Sequence, residues 1–331
     1  MSQKEGINLH FRISYHSQYG QNLMVCGSIP ELGNWENLVP LTYQNDIWDL
    51  EVTIPNPKEN TTIKYKYLVE SQGDRSWEPE KDHVLNLAPS TGPLTIEIVD
   101  TYRWQDPVMD AYTRSAFVDV INRRDSPKQV NYIQPPESSF EVYFSCLVPH
   151  IKSENKLIVV GSCVELGNWD PKKGVELKDN EFPLFTATCA FSKTSLPFEY
   201  KYCIVKPDGN VIWDINENIR CAPLSNPEAP GKTILCLNQY FINPDKALYH
   251  GFGIYAPLFS LRSNDSCGIG QYTDIKKLVD VCNKIGASLI QLLPINDTTD
   301  RGDWADSYPY RQVSCFALHP IYINLLEITP N

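Results

Sequence analysis

Gly27-Ser28-Ile29-Pro30-Glu31-Leu32-Gly33-Asn34-Trp35 returns 134 residues later as Gly161-Ser162-Cys163-Val164-Glu165-Leu166-Gly167-Asn168-Trp169, with seven of the nine positions identical. A match that dense marks an internal repeat, not coincidence. It extends downstream, where Ile63-Lys64-Tyr65-Lys66-Tyr67 is answered by Phe198-Glu199-Tyr200-Lys201-Tyr202 and Trp77 by Trp213, so two homologous modules lie in tandem. Inside each copy, alternating runs such as Asn8 to Ile13, Trp48 to Ile54 and Leu94 to Val99 predict half-buried strands separated by Pro, Gly and Asn turns. About 100 residues of short strands per copy predict a β-sandwich of immunoglobulin-like architecture.

The expected fold is therefore mainly β, with a first module over 1–104, a connector over 105–136, a second module over 137–242 and a third segment over 243–331. The connector is polar and basic at Asn122-Arg123-Arg124-Asp125-Ser126-Pro127-Lys128 and turn-rich at Gln134-Pro135-Pro136-Glu137. Beyond residue 243 the pattern changes. Gly253 to Phe259 is apolar, Ile275, Leu278, Val279, Cys282 and Ile285 recur at helical spacing, and Ser288 to Leu293 is apolar again, which predicts a parallel strand–helix–strand unit. Thr273 or Asp274 would cap the helix and Gly286 would end it. Ligand sites of such units lie beyond the carboxyl ends of the strands, here at Asn296-Asp297-Thr298. The Gly251-x-Gly253-x-x-Ala256 string runs into a strand instead of a helix, so a dinucleotide-binding reading is rejected.

Composition narrows the partners. The 331 residues carry 29 basic and 40 acidic side chains, a net charge of −11 that repels nucleic acid and anionic lipid. Met1 to Gly6 has no apolar core of signal-peptide length, and the longest apolar run, Ala287 to Ile295, is broken by Gln291 and Pro294. A soluble cytoplasmic protein without membrane or nucleic-acid partners is expected. The 10 cysteines show no C-x-x-C and no paired spacing, so they read as reduced core thiols, with no metal site and no cofactor expected. The sequons at Asn60, Asn264 and Asn296 then read as chance matches.

Trp35 and Trp169 follow Gly-Asn in a turn, and Trp77 and Trp213 follow the strands that carry Lys66 and Lys201. Loops are expected to present all four, whereas Trp48, inside a strand pattern, reads as core. Flat aromatic rings beside a few polar donors suit the apolar C–H faces and hydroxyl rims of a neutral glucan.

At these residues the chain resembles the starch-binding modules of carbohydrate-binding module family 20, which are immunoglobulin-like sandwiches. The resemblance implies a glucan site of Trp35, Lys66, Trp77 and Glu78 in the first copy and of Trp169, Lys201, Trp213, Asp214 and Asn218 in the second. The first copy has Asp82 where the family's Asn is expected. A second family site, built on two tyrosines, corresponds to Tyr19 and Tyr43 in the first copy alone, because Lys152-Ser153-Glu154-Asn155 and Phe185 stand at the matching places of the second.

Gly253-Ile254-Tyr255-Ala256-Pro257-Leu258-Phe259-Ser260-Leu261-Arg262-Ser263, with Cys267-Gly268-Ile269-Gly270, Gln291-Leu292-Leu293-Pro294 and Ser307-Tyr308-Pro309-Tyr310, resembles the start of glycoside hydrolase family 77, the 4-α-glucanotransferases. That resemblance implies the first strands and helix of an incomplete (β/α)8 barrel, with Ser307 and Tyr310 near glucan subsites. Modules ahead of such a barrel resemble the plant-type disproportionating branch, whose implied partners are starch, glycogen, amylose or maltooligosaccharides. The family transfers glucan through an Asp nucleophile and a Glu acid/base about 5 Å apart. No residue here matches them, because they belong to later barrel strands. The 331 residues alone are therefore expected to be inactive, and Asp297, Asp300, Asp303 and Asp306 read as a solvated loop. The rival readings are a non-catalytic starch- or glycogen-binding or targeting protein and, less favoured, adhesion sandwiches without a sugar ligand.

Overall fold

Strict alternation produces the strands. In Ile7–Ser14 (β1), Ile7, Leu9, Phe11 and Ile13 are buried while the residues between them are not, so one face of the strand turns to a core. The computed structural model describes residues 6–44, 46–79, 81–102, 111–124, 128–221, 224–226, 231–240 and 251–328. The expectations for 103–110, 125–127 and 241–250, within the connector and at the start of the third segment, lie outside the described residues. The chain divides into two compact units, 1–248 and 249–331.

The first copy continues with Gln21–Gly27 (β2), Val39–Pro40 (β3), Thr42–Gln44 (β4), Ile47–Ile54 (β5), Thr61–Ser71 (β6), Asp74–Trp77 (β7), His83–Leu87 (β8) and Leu94–Thr101 (β9). One layer is β4-β5-β1-β9, and the other is β3-β2-β6-β7 with β8 also on β6. Between them pack Phe11, Trp48, Tyr65, Tyr67 and their neighbours. Trp48 fills the core, as expected, and its indole N–H donates to the Tyr15 carbonyl at 3.2 Å.

The second copy comprises Phe140–Leu147 (β10), Lys156–Gly161 (β11), Val175–Glu181 (β12), Leu184–Ala190 (β13), Phe198–Val205 (β14), Val211–Trp213 (β15), Ile219–Cys221 (β16) and Lys232–Tyr240 (β17). β17, β10 and β13 form one layer, β11, β14, β15 and β16 the other, and β12 pairs with both β13 and β11, its register shifting between Lys178 and Glu181. The fold of this unit is thus mainly β, two β-sandwiches in tandem.

The sandwiches are joined by more than a connector. β9 pairs in parallel with β17, from Leu94↔Lys232 to Val99↔Leu237, so one sheet runs through both copies. Ile234 and Cys236 of β17 bury in the first core, and Leu235 and Leu237 in the second. Glu97 accepts from Arg12 at 3.2 Å and from the Ser225 backbone and hydroxyl at 2.9 and 3.0 Å, and Asn238 donates to Asp100 at 2.7 Å.

In the other unit, Gly253–Ala256 (β18) and Leu289–Leu292 (β19) are parallel and linked by a helix, Tyr272–Ile285 (α1). The helix starts before the expected caps. Gln271 is its N-cap, Asp274 at the third helical position accepts from the Gln271 N–H at 2.9 Å, and Gly286 ends it with φ +76°. Cys282 is buried and Ile275 and Leu278 are half-buried, whereas Val279 and Ile285 remain about half exposed.

Candidate functional site

The repeated nine-residue motif builds one turn twice. After β2, Gly33, Asn34 and Trp35 all take positive φ, at +83°, +53° and +61°, and after β11 Gly167, Asn168 and Trp169 do so at +74°, +51° and +66°. Left-handed backbone at a bulky aromatic is costly and persists only where the surroundings impose it. Here they do. Ser28 N–H donates to the Lys64 carbonyl at 2.8 Å while its hydroxyl accepts from Lys64 N–H at 2.9 Å, and Ser162 repeats both bonds with Glu199. Leu32 and Leu166 plug the cores, and a Cβ on Gly27 or Gly161 would lie 2.7 or 2.5 Å from the Lys64 or Glu199 carbonyl oxygen. The glycine, serine, leucine and Gly-Asn positions of the motif thus hold the turn that carries each tryptophan.

Trp35, Trp77 and Trp213 are 39–46% exposed, unlike the core tryptophan Trp48 at 5%. Trp77 and Trp213 are the last residues of β7 and β15, paired with Leu68 and Cys203, so strand ends present them instead of the expected loops. Trp169 is half-buried against Ile158, Val160 and Cys203. Lys66 lies opposite Cys26, with Nζ 4.0 Å from Asp82, so the acid at the expected Asn position faces the lysine. Asn218 is exposed and donates to Glu199 at 3.3 Å. Lys201 is opposite Val160.

Glu78 and Asp214 are buried, unlike the other candidates. Their backbone N–H groups donate to Tyr67 and Tyr202 carbonyls at 2.9 and 3.1 Å, which ties the residue after each tryptophan to β6 or β14. Behind Glu78 runs a network that sequence reasoning missed: Glu78 bonds His83 at 2.8 Å, His83 is 3.7 Å from Asp100, and Asp100 accepts from Tyr65 and Tyr67, each at 2.8 Å. Burial, with Asp100 beside it, raises the Tyr67 phenol well above its ordinary range, so it remains a donor. Ile219 takes the place of His83 opposite Tyr200, so the second copy lacks this histidine.

Tyr43 is about half exposed, its ring 5.1 Å from Trp48 and its hydroxyl donating to Asp46 at 2.9 Å. Tyr19 is fully exposed in the turn before β2. Cavities of about 560 and 730 Å³ lie beside Asn131 and Arg124, and none of the candidate tryptophans or tyrosines lines either of them.

In the other unit, Ser307 is exposed and donates to the Trp304 carbonyl at 2.7 Å. Tyr310 is exposed, and a hydrogen bond with Tyr255 of β18 raises its phenol above the ordinary value, a partnership no motif announced. Asp297 accepts from Thr299 N–H at 2.9 Å, Asp303 from Ala305 N–H at 2.7 Å, and Asp306 from Gly302 N–H at 2.7 Å, so these carboxylates cap their own turns. Among the described residues no group of three or more His, Cys, Asp or Glu could hold a metal ion, and no helix is long and apolar enough to cross a membrane.

The sequence profile described as a starch binding domain matches residues 6–95 and again 139–228, together more than half of the chain. This chain belongs to the starch binding domain family. A second profile, described as 4-alpha-glucanotransferase, matches residues 256–330, downstream of both starch binding domains. The 4-alpha-glucanotransferase DPE2 of Oryza sativa subsp. japonica is 31% identical over 352 residues, 99% of this chain, which spans 36% of that protein's length. A 4-alpha-glucanotransferase of Chlamydia pneumoniae is 46% identical over 79 residues, 24% of this chain and 14% of its own. Among solved structures, the family 20 module of the maltotetraose-forming amylase from Pseudomonas saccharophila STB07 is 22% identical with a TM-score of 0.23, covering 29% of this chain and 99% of that one.

Proposed function

We propose that this protein is a 4-α-glucanotransferase that docks on starch through its tandem starch binding domains. The observation that carries the reading is the same outward Trp-Lys-Trp surface, built twice on one turn and one strand pair, in a chain whose later residues match the transferase profile. In this reading Trp35, Trp77 and Lys66, with Asp82, hold one glucan segment, and Trp169, Trp213, Lys201 and Asn218 another. Glu78 and Asp214 brace those surfaces from within, because their burial keeps the carboxylates away from a sugar. Tyr19 and Tyr43 add a second patch to the first domain. β18, α1 and β19 begin the (β/α)8 barrel, with Ser307 and Tyr310 toward its glucan subsites. The domain limits follow as 1–104, 137–242 and 243–331.

Retaining transfer needs two carboxyls opposed across the scissile bond at about 5 Å. The aspartates around residue 300 cap local turns, so they are not assigned that chemistry. The ligands proposed include glycogen, amylose and maltooligosaccharides, with maltose as a donor. The cytoplasm is the proposed location, supported by cysteines that are all free, six of them buried.

Retention on insoluble starch tests the docking. Trp77→Ala and Trp213→Ala together are expected to reduce it at least tenfold, each removing stacking of ~1–2 kcal/mol. Unchanged retention with an intact circular dichroism spectrum rejects the docking surface. Glucose release from maltose in the presence of a soluble acceptor glucan tests the transfer.

A further inference from the structure

The strand pairing that joins the sandwiches also sets the direction each one faces. β9 and β17 are the last strands of the two copies, and they run parallel, side by side. The rest of each copy's sheet lies on the far side of its strand, β1 beyond β9 and β10 beyond β17, so the two meet through the same edge; equivalent strands that do so in parallel are related by a half turn about an axis along the strands, and that half turn exchanges the two faces of the sheet. Side-chain parity agrees. Ile96 and Ile98 stand level with Ile234 and Cys236, and all four bury in the first core. Leu235 and Leu237 alternate with them and bury in the second core, where Val99 packs too. Ser225 of the second copy bonds Glu97 on that same opposite face. One outer layer therefore covers one face of the shared sheet, and the other layer covers the reverse.

The glucan surfaces lie on the far sides of those outer layers. Tyr65 and Tyr67 on β6, like Tyr200 and Tyr202 on β14, bury inward, so Lys66 and Lys201 between them face away from the shared sheet. Trp77 and Trp213 share the outward parity through their partners Leu68 and Cys203. The two surfaces open to opposite sides of the shared sheet, separated in depth by two sheet spacings, roughly 20 Å. A glucan chain lying on one surface must pass around the edge of the unit to reach the other, which makes a second grip by the same chain unfavourable.

Resting on the assignment of these two surfaces to glucan, we propose that the tandem unit holds two separate glucan chains on opposite faces and cross-links them, instead of gripping one chain at two points. Titration of the full chain into soluble amylopectin, followed by light scattering, tests this. The scattering is expected to rise and then fall at protein excess, when every surface finds its own particle. Trp77→Ala and Trp213→Ala, tested separately in a Tyr19→Ala/Tyr43→Ala background that removes the tyrosine patch of the first domain, are each expected to keep binding to insoluble starch while losing most of the rise which that background shows. A rise retained in full by either single variant, which self-association of the protein would give, overturns the proposal. So does its absence in the wild type, accompanied by one-to-one binding of a long maltooligosaccharide that either variant weakens tenfold or more. Full starch retention by the double variant instead overturns the assignment of the surfaces themselves.

Discussion

Gly27 and Gly161 are forced by contact rather than by dihedral freedom. A methyl group at Gly27 meets the Lys64 carbonyl oxygen at 2.7 Å, a backbone atom that cannot yield without moving β6, and the buried Leu32 side chain at 2.9 Å. Gly27→Ala is expected to destabilise the tandem unit by about 2 kcal/mol, measured by urea unfolding. His150 makes a separate prediction. Burial pushes its imidazole down from the ordinary 6.5 to about 4, so between those values the unfolded chain binds the proton and the folded one does not. The stability it allows is fully present above pH 6.5 and is lost as the pH falls toward 4. His150→Phe is expected to flatten that part of the curve of melting temperature against pH relative to wild type. The motif was legible in the sequence because its shared Gly, Ser, Leu and Gly-Asn-Trp positions are each tied to one local requirement, a close approach, a hydrogen bond to the neighbouring strand, a plug or a left-handed turn. The Glu78–His83–Asp100 network was not, since its members come from the turn after β7, from β8 and from β9 and meet only when the sandwich closes.

The helix α1 shows how a single acid can organise an element. Asp274 accepts from Gln271 N–H at 2.9 Å and from the hydroxyls of Ser263 and Ser266 at 2.5 and 2.8 Å, which fastens the 263–271 loop to the first turn. Burial alone would raise its carboxyl, but these hydrogen bonds prevail and hold it below the ordinary value. Its contribution is therefore present at neutral pH and lost as the pH falls through that lowered value. Asp274→Ala is expected to cost about 1–2 kcal/mol, a loss comparable to that of an N-cap, read as faster amide exchange in 272–285. The helix itself was legible from its 3.6-residue period and from Gly286. Its start was displaced because Asp274 acts from the third helical position, while the N-cap is a glutamine, a residue outside the usual set.

At the scale of the whole tandem unit, the two cores share β17. Ile234→Ala, a substitution on the last strand of the second copy, removes volume from the first core and is expected to cost 2–4 kcal/mol, on the order found for buried large-to-small changes. Calorimetry is expected to show both sandwiches melting in one transition that Ile234→Ala and Leu235→Ala each lower; two transitions, only one of which responds to each substitution, would refute the coupling. The repeat and its sandwiches could be read from the sequence, because alternation and turns are local. The pairing of β9 with β17 could not, because a strand that buries both faces by joining two cores looks the same as any apolar strand. That pairing also has a consequence during synthesis. The first copy leaves the ribosome with β9 complete but its outer edge bare, and its partner follows only after about 130 more residues, about 7 to 26 seconds at ordinary elongation rates. For that interval an apolar strand edge stands open to any neighbouring nascent chain, an aggregation hazard that closes when residues 232–240 emerge.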